Sequence, residues 1–199
     1  WRRSPGAAGM DFQIALMLVQ DGVVNGAIYA LMALALVLVF SVTRVIFIPQ
    51  GEFVAYAALA MAALQAGQAP PLLWMLLGLA ALVLLVEGVR QARGAEVDWR
   101  STLFWAALMP ALAVLVLLVL KPQAMLLRVL GVLLLVTPMG PLLYRLVYRP
   151  LADATVLILL IVSVALHLAL VGLGLYFFGA EGSRTDAFSD ARWDLLGLT

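Results

Sequence analysis

The stretch "RVIFIPQGEFVAYAAL", residues 44–59, decides how this chain is read. It joins two apolar runs and places Pro49, Gln50, Gly51 and Glu52 together with little loop to hold them. Pro49 removes a backbone donor and pushes Ile48 out of helical geometry. Gly51 permits a sharp change of direction. Glu52 falls in the first turn of a new helix, where a carboxylate suits the positive end of the dipole. "IPQGE" therefore ends one helix and opens the next. These residues permit either a tight surface turn or a broken segment that re-enters the bilayer. In the second case, the freed backbone groups must line a cavity or be buried in protein.

Working outward, the surroundings are hydrocarbon. Of 199 residues, 65% are hydrophobic and 12% are charged, and mean hydropathy is +1.11. An ordinary soluble domain is about 25% charged, so it cannot hide this much apolar side chain. The charges are also segregated. No Asp, Glu, Lys or Arg occurs in Gly22–Thr43, Phe53–Val86, Ser101–Leu120 or Ala154–Ala180. Each run is long enough to cross a bilayer, which takes about 20 apolar residues. The sequence predicts an all-α polytopic transmembrane helix bundle of about six spans.

The spans read as Ile14–Ser41, Glu52–Ala66, Leu72–Val89, Ser101–Leu120, Ala124–Tyr148 and Thr155–Phe178. "GQAPP" (67–71) is a turn signal, Lys121–Pro122 breaks the fourth span from the fifth, and "TPMGP" (137–141) predicts a kink. "WRRSPGAAG", residues 1–9, reads as an upstream extension, with the transmembrane domain over 10–178 and an external polar tail over 179–199. Short loops after spans one, three and five hold Arg44, Arg90, Arg93, Arg100, Arg145 and Arg149; the other side holds Lys121, Arg184 and Arg192, with Arg2 and Arg3 in the extension. That bias predicts the arginine-rich side as cytoplasmic and both the mature N-terminus and the tail as external.

Texture separates the spans. Gly22, Gly26, Ala30 and Ala33 form a small-residue stripe on span one, and span two is rich in alanine, so both read as central packing helices. "LAVLVLLVL" (112–120) is bulky all round and reads as lipid-facing. Asp21 and Asn25, four apart, share a helix face as an interfacial cap with an interhelical bond, or as pathway groups. Glu87 and Arg90 read as a pair at the membrane interface with no functional weight.

Enzyme signatures are nearly absent. Lys121 is the only lysine and lies outside any glycine-rich loop, so no Walker A site is present. There is no cysteine and one histidine, which excludes thiolate or His-based metal sites; no cofactor is expected. Ser163 and His167 are one helical turn apart, as an intramembrane nucleophile and base would be, but "IVSVAL" supplies neither exposing glycines nor an oxyanion donor. A helix-packing serine and an inward-facing histidine is the better reading. With a net charge of +1, no nucleic-acid partner is implied.

"NGAIYALMALALVLVFSVTRVIFIPQGEFVAYAAL" (25–59) resembles the start of the H-type (LivH-like) permeases of branched-chain amino acid ABC importers. Asn25, Gly26, Tyr29, Ala30, Leu31, Val45, Ile46, Gly51, Glu52 and Phe53 match that family's pattern. "RLVYRPLADA" (145–154) is similar to its cytoplasmic Tyr-Arg-Pro-Leu loop, and "LIVSVALHLALVGLGLYFFG" (160–179) to the helix that follows. The family's Asn and His in the re-entry segment are Phe47 and Gln50 here. Two extra spans fall within 72–148, an even number that keeps the loop on its side. After Gly179 nothing resembles the family's further helices or its Glu-Ala-Ala coupling loop, so the chain reads as the N-terminal portion of such a permease.

The resemblance implies an inner-membrane subunit that forms part of a translocation pathway and is not itself an enzyme. Its partners would be a second permease subunit, two cytoplasmic ATPase subunits and an external amino-acid-binding protein. Asn25, Tyr29, Gln50, Gly51, Glu52 and His167 are the expected pathway or gating positions, with Tyr148, Arg149 and Pro150 in the cytoplasmic loop. The alternatives are a permease of the same family for urea or an amide, and a non-transporting membrane scaffold.

Overall fold

The computed structural model describes residues 5–119 and 124–185. The regular structure among the described residues is all helical, with no strand among them. We number the helices α1 (Pro5–Thr43), α2 (Gln50–Gln65) and α3 (Pro71–Ala92), then α4 (Trp99–Leu118) and α5 (Met125–Leu151), and α6 (Val156–Phe178). Five of them, α1 and α3 to α6, are long and apolar enough to cross a membrane. The chain is a multi-pass membrane protein. The break at Lys121–Pro122, the first four residues and the tail from residue 186 onward lie outside the described residues.

Two units are described separately: α1, ending at Arg44, and a bundle that begins at Val45. Along α1, a Cβ added at Gly22 or Gly26 would meet nothing within 4 Å. The helix closes with Arg44 N–H donating to Phe40 O at 2.8 Å. Arg44 itself has φ 56, a left-handed conformation usually left to glycine.

In the bundle, α3 is the central helix and packs against α2, α4, α5 and α6. Its buried residues Leu72, Leu76, Ala80, Val83 and Glu87 recur at spacings of three and four, one stripe down one face. Helix α4 also has a buried face, made by Thr102, Ala106, Pro110, Ala113 and Leu117. Within the stretch 112–120, expected to face lipid, Ala113 and Leu117 turn inward. Two alanines and a proline let α4 lie close to its neighbours, and Leu117 seats against Gly131 of α5, where an added Cβ would be 2.6 Å from Leu117 Cδ2.

Prolines shape α4 and α5. Where a kink is expected, the helical ladder is interrupted at Thr137–Pro138, although both residues keep right-handed helical dihedrals. Three further stretches, Phe104–Leu108, Leu115–Val119 and Tyr144–Tyr148, are π-helical. The first and the last contain the residue four before a proline, Ala106 for Pro110 and Leu146 for Pro150. A proline ring clashes with the carbonyl four residues back, and the wider π turn makes room for it.

Helix α2 begins within "IPQGE", at Gln50. It runs parallel to α6: Glu52 meets His167, Tyr56 meets Leu170 and Gly174, and Ala62 and Ala66 share a cavity with Phe178. In that register, Gln50 is level with about Ala165, so α2 starts roughly 14 Å below the N-terminal end of α6 at 1.5 Å per residue. Val45 and Pro49 in the preceding non-helical stretch are buried. The segment is a helix break partly enclosed by the bundle, with Ile46, Phe47 and Ile48 half-buried between those two residues.

Candidate functional site

The start of α2 brings polar side chains against the middle of α6. Pro49 caps the helix at φ −65, ψ 3, and Glu52 N–H donates to Pro49 O at 3.1 Å. This first turn aims Glu52 at α6. Glu52 Oε1 lies 2.8 Å from His167 Nδ1, a close approach whose angle falls short of hydrogen-bond geometry. Glu52 Oε2 is buried with no hydrogen-bond partner among the described residues. One turn on, the Tyr56 hydroxyl donates to Leu170 O, and its ring stacks on Phe178 with centroids 5.7 Å apart. Gly174 makes room, because a Cβ there would be 3.0 Å from Tyr56 Cε1.

Tyr148 of α5 packs one turn nearer the N-terminal end of α6. Its hydroxyl is 2.7 Å from Ser163 Oγ, and its ring is 6.1 Å from that of Phe47, which packs edge-on against Phe53 at 5.5 Å. Ser163 and His167 are therefore engaged by different partners, Tyr148 and Glu52.

The next residue of α5 belongs to a second cluster. Arg149 Nη1 donates to Glu87 Oε1 at 2.7 Å, with Arg90 and Arg145 at 3.7 and 3.9 Å from the same oxygen. Arg145 is fixed in turn by Ser101 Oγ at 2.6 Å and by Thr102 Oγ1. Glu87 is only 1% exposed, and its Oε2 has no hydrogen-bond partner among the described residues. The Glu87–Arg90 pair read from the sequence is present, and Arg145 and Arg149 of α5 join it. Glu87 continues the buried stripe of α3, so helix geometry carries it inward, and three guanidiniums neutralise it there. The signal was present in the spacing Leu76, Ala80, Val83, Glu87.

Of the expected pathway residues, the structure brings Gln50, Gly51, Glu52 and His167 to one level. Asn25 and Tyr29 lie on α1, where Asn25 Nδ2 donates to Asp21 O at 2.9 Å within the helix and Tyr29 is exposed. Tyr148, Arg149 and Pro150 are not in an open loop: Tyr148 ends the π stretch and Arg149–Leu151 is a 3-10 turn. The inward pull of Ser163 on Tyr148 and of Glu87 on Arg149 keeps this segment wound. Compared with protein-family models, curated proteins and solved structures, the chain matches none.

Proposed function

We propose that the chain is a membrane-spanning permease subunit of an ABC importer for branched-chain amino acids, forming part of the translocation pathway in a bacterial inner membrane. The observation that carries this reading is the start of α2. A helix that begins inside the bundle, with a carboxylate in its first turn and an unpartnered buried oxygen, is how transporters present polar groups to a solute at membrane depth. The resemblance over residues 25–59 and 145–179 points the same way.

On this reading Glu52 and His167 form a polar gate at mid-depth, with Gln50 and Gly51 at its lip. A second permease subunit faces it, an external binding protein delivers the solute, and two ATPase subunits drive the change of access from the cytoplasmic side. ATP hydrolysis belongs to those partners. Alternating access then amounts to shifting which side of the gate is open.

The replacement of the family's Asn and His by Phe47 and Gln50 favours testing a second solute class, urea or a small amide. The test is uptake of labelled leucine by the assembled importer in proteoliposomes, with unlabelled leucine, urea and acetamide as competitors. Leucine uptake that is abolished in Glu52→Gln supports the proposal. Competition by urea alone reassigns the solute. Failure to co-purify with any ATPase removes the importer reading and leaves a membrane scaffold.

A further inference from the structure

A cavity of about 330 Å³ opens between α4 and α5, lined by Asp98, Ser101, Trp105, Tyr144, Arg145 and Arg149 together with Pro141. It lies at the end of the bundle where α4 begins, away from the Glu52–His167 level. Its wall carries both signs of charge: two guanidiniums and one carboxylate. From this arrangement we infer that the cavity is a binding site for the zwitterionic headgroup of a phosphatidylethanolamine-type lipid.

The argument starts from what the wall groups still have to offer. Arg145 donates to the Ser101 and Thr102 hydroxyls, which hold its plane in place. Ser101 Oγ accepts that bond, so its own O–H remains to donate. Arg149 commits one N–H to Glu87 and is still 29% exposed. Guanidinium and hydroxyl donors that are already positioned suit a phosphate diester, which accepts several hydrogen bonds at once. Asp98 accepts from Ser101 N–H through Oδ1 at 3.3 Å as the cap of α4, and the rest of its carboxylate faces an ammonium group.

The neighbours fit a lipid better than a free anion. Trp105 and Tyr144 have apolar rings with polar tips, the residue types that gather at headgroup depth. On the same two helices Leu103, Phe104, Leu108 and Tyr144 are exposed, a surface that acyl chains can cover. Cationic pockets between spans are recurrent headgroup sites. Here the added carboxylate selects for a primary ammonium: the trimethylated headgroup of phosphatidylcholine offers no N–H to Asp98, and phosphatidylglycerol offers no cationic group.

The experiment is thermal unfolding of the purified full chain in detergent with short-chain phosphatidylethanolamine, phosphatidylcholine or phosphatidylglycerol, and with free phosphoethanolamine or inorganic phosphate. Phosphatidylethanolamine should bind about tenfold or more tightly than the other two lipids, the factor that a charge-assisted hydrogen bond supplies. Asp98→Asn keeps a good helix cap and should erase that preference while leaving phosphatidylglycerol binding in place. Arg149→Lys keeps the charge and should weaken all three lipids. Equal shifts from all three lipids, or a preference that survives Asp98→Asn, overturn the inference. Binding of free phosphoethanolamine as tight as that of the lipid overturns the lipid source.

Discussion

Arg149 Nη1 and Glu87 Oε1 are 2.7 Å apart although 62 residues separate them in sequence, and this contact joins α5 to the end of the central helix. Glu87 is the most buried charge described, and three arginines share it. Removing the carboxylate leaves those arginines without their common partner, which costs far more than the net worth of the pair. Glu87→Gln should destabilise the bundle by about 3–5 kcal/mol. A double variant, Glu87→Gln with Arg149→Gln, should recover part of that loss. Unfolding in mixed micelles checks this, and additive losses would mean that the two residues do not act as a pair.

Tyr56 and Gly174 make a sharper test of packing between α2 and α6. Tyr56→Phe loses the bond to Leu170 O and should cost about 0.5–1.5 kcal/mol. Gly174→Ala ordinarily strengthens a helix, but here its Cβ would press on a ring held by Leu170 and by stacking on Phe178. It should therefore destabilise the wild-type chain and stabilise a Tyr56→Leu background. The same sign in both backgrounds would show that the ring is not the obstacle.

Arg44 carries φ 56 at the end of α1. For a residue with a Cβ this conformation costs about 1–2 kcal/mol, and glycine adopts it freely. Arg44→Gly should raise stability by roughly 1 kcal/mol in the same unfolding assay. A loss instead would mean that the arginine side chain contributes more than the strain removes.

Much of this fold was legible from where charges are absent. The apolar runs located α2 to α6 to within a few residues, whereas α1 begins at Pro5, nine residues before the run at Ile14, and "TPMGP" located an interruption in α5. Pro49, Gly51 and Glu52 also announced a helix break and a capped restart, because each residue acts on its own backbone. What the stretch did not carry was depth. That follows from the register of α2 against α6, a contact between residues more than a hundred positions apart. The arginine clamp was hidden for the same reason, since Glu87 draws Arg145 and Arg149 from another helix. Even so, Glu87 lies on the apolar stripe of α3, and a strict reading of that spacing would have turned it inward.

The depth of the α2 start can be measured directly, because the chain contains no cysteine and single replacements can be read without background. Ile48 belongs to the partly buried stretch before α2, and its level corresponds to about the second turn of α6. Ala95 lies in the exposed connection after α3, and Gln68 in the exposed turn after α2. In sealed proteoliposomes, Ala95→Cys should react quickly with a membrane-impermeant maleimide from one side and Gln68→Cys from the other. Ile48→Cys should be slow from both sides and become fast only after unfolding. Were "IPQGE" a surface turn, Ile48→Cys would react as fast as Ala95→Cys and from the same side. Glu52 would then sit near the interface, where a carboxylate is well solvated and has no reason to face His167.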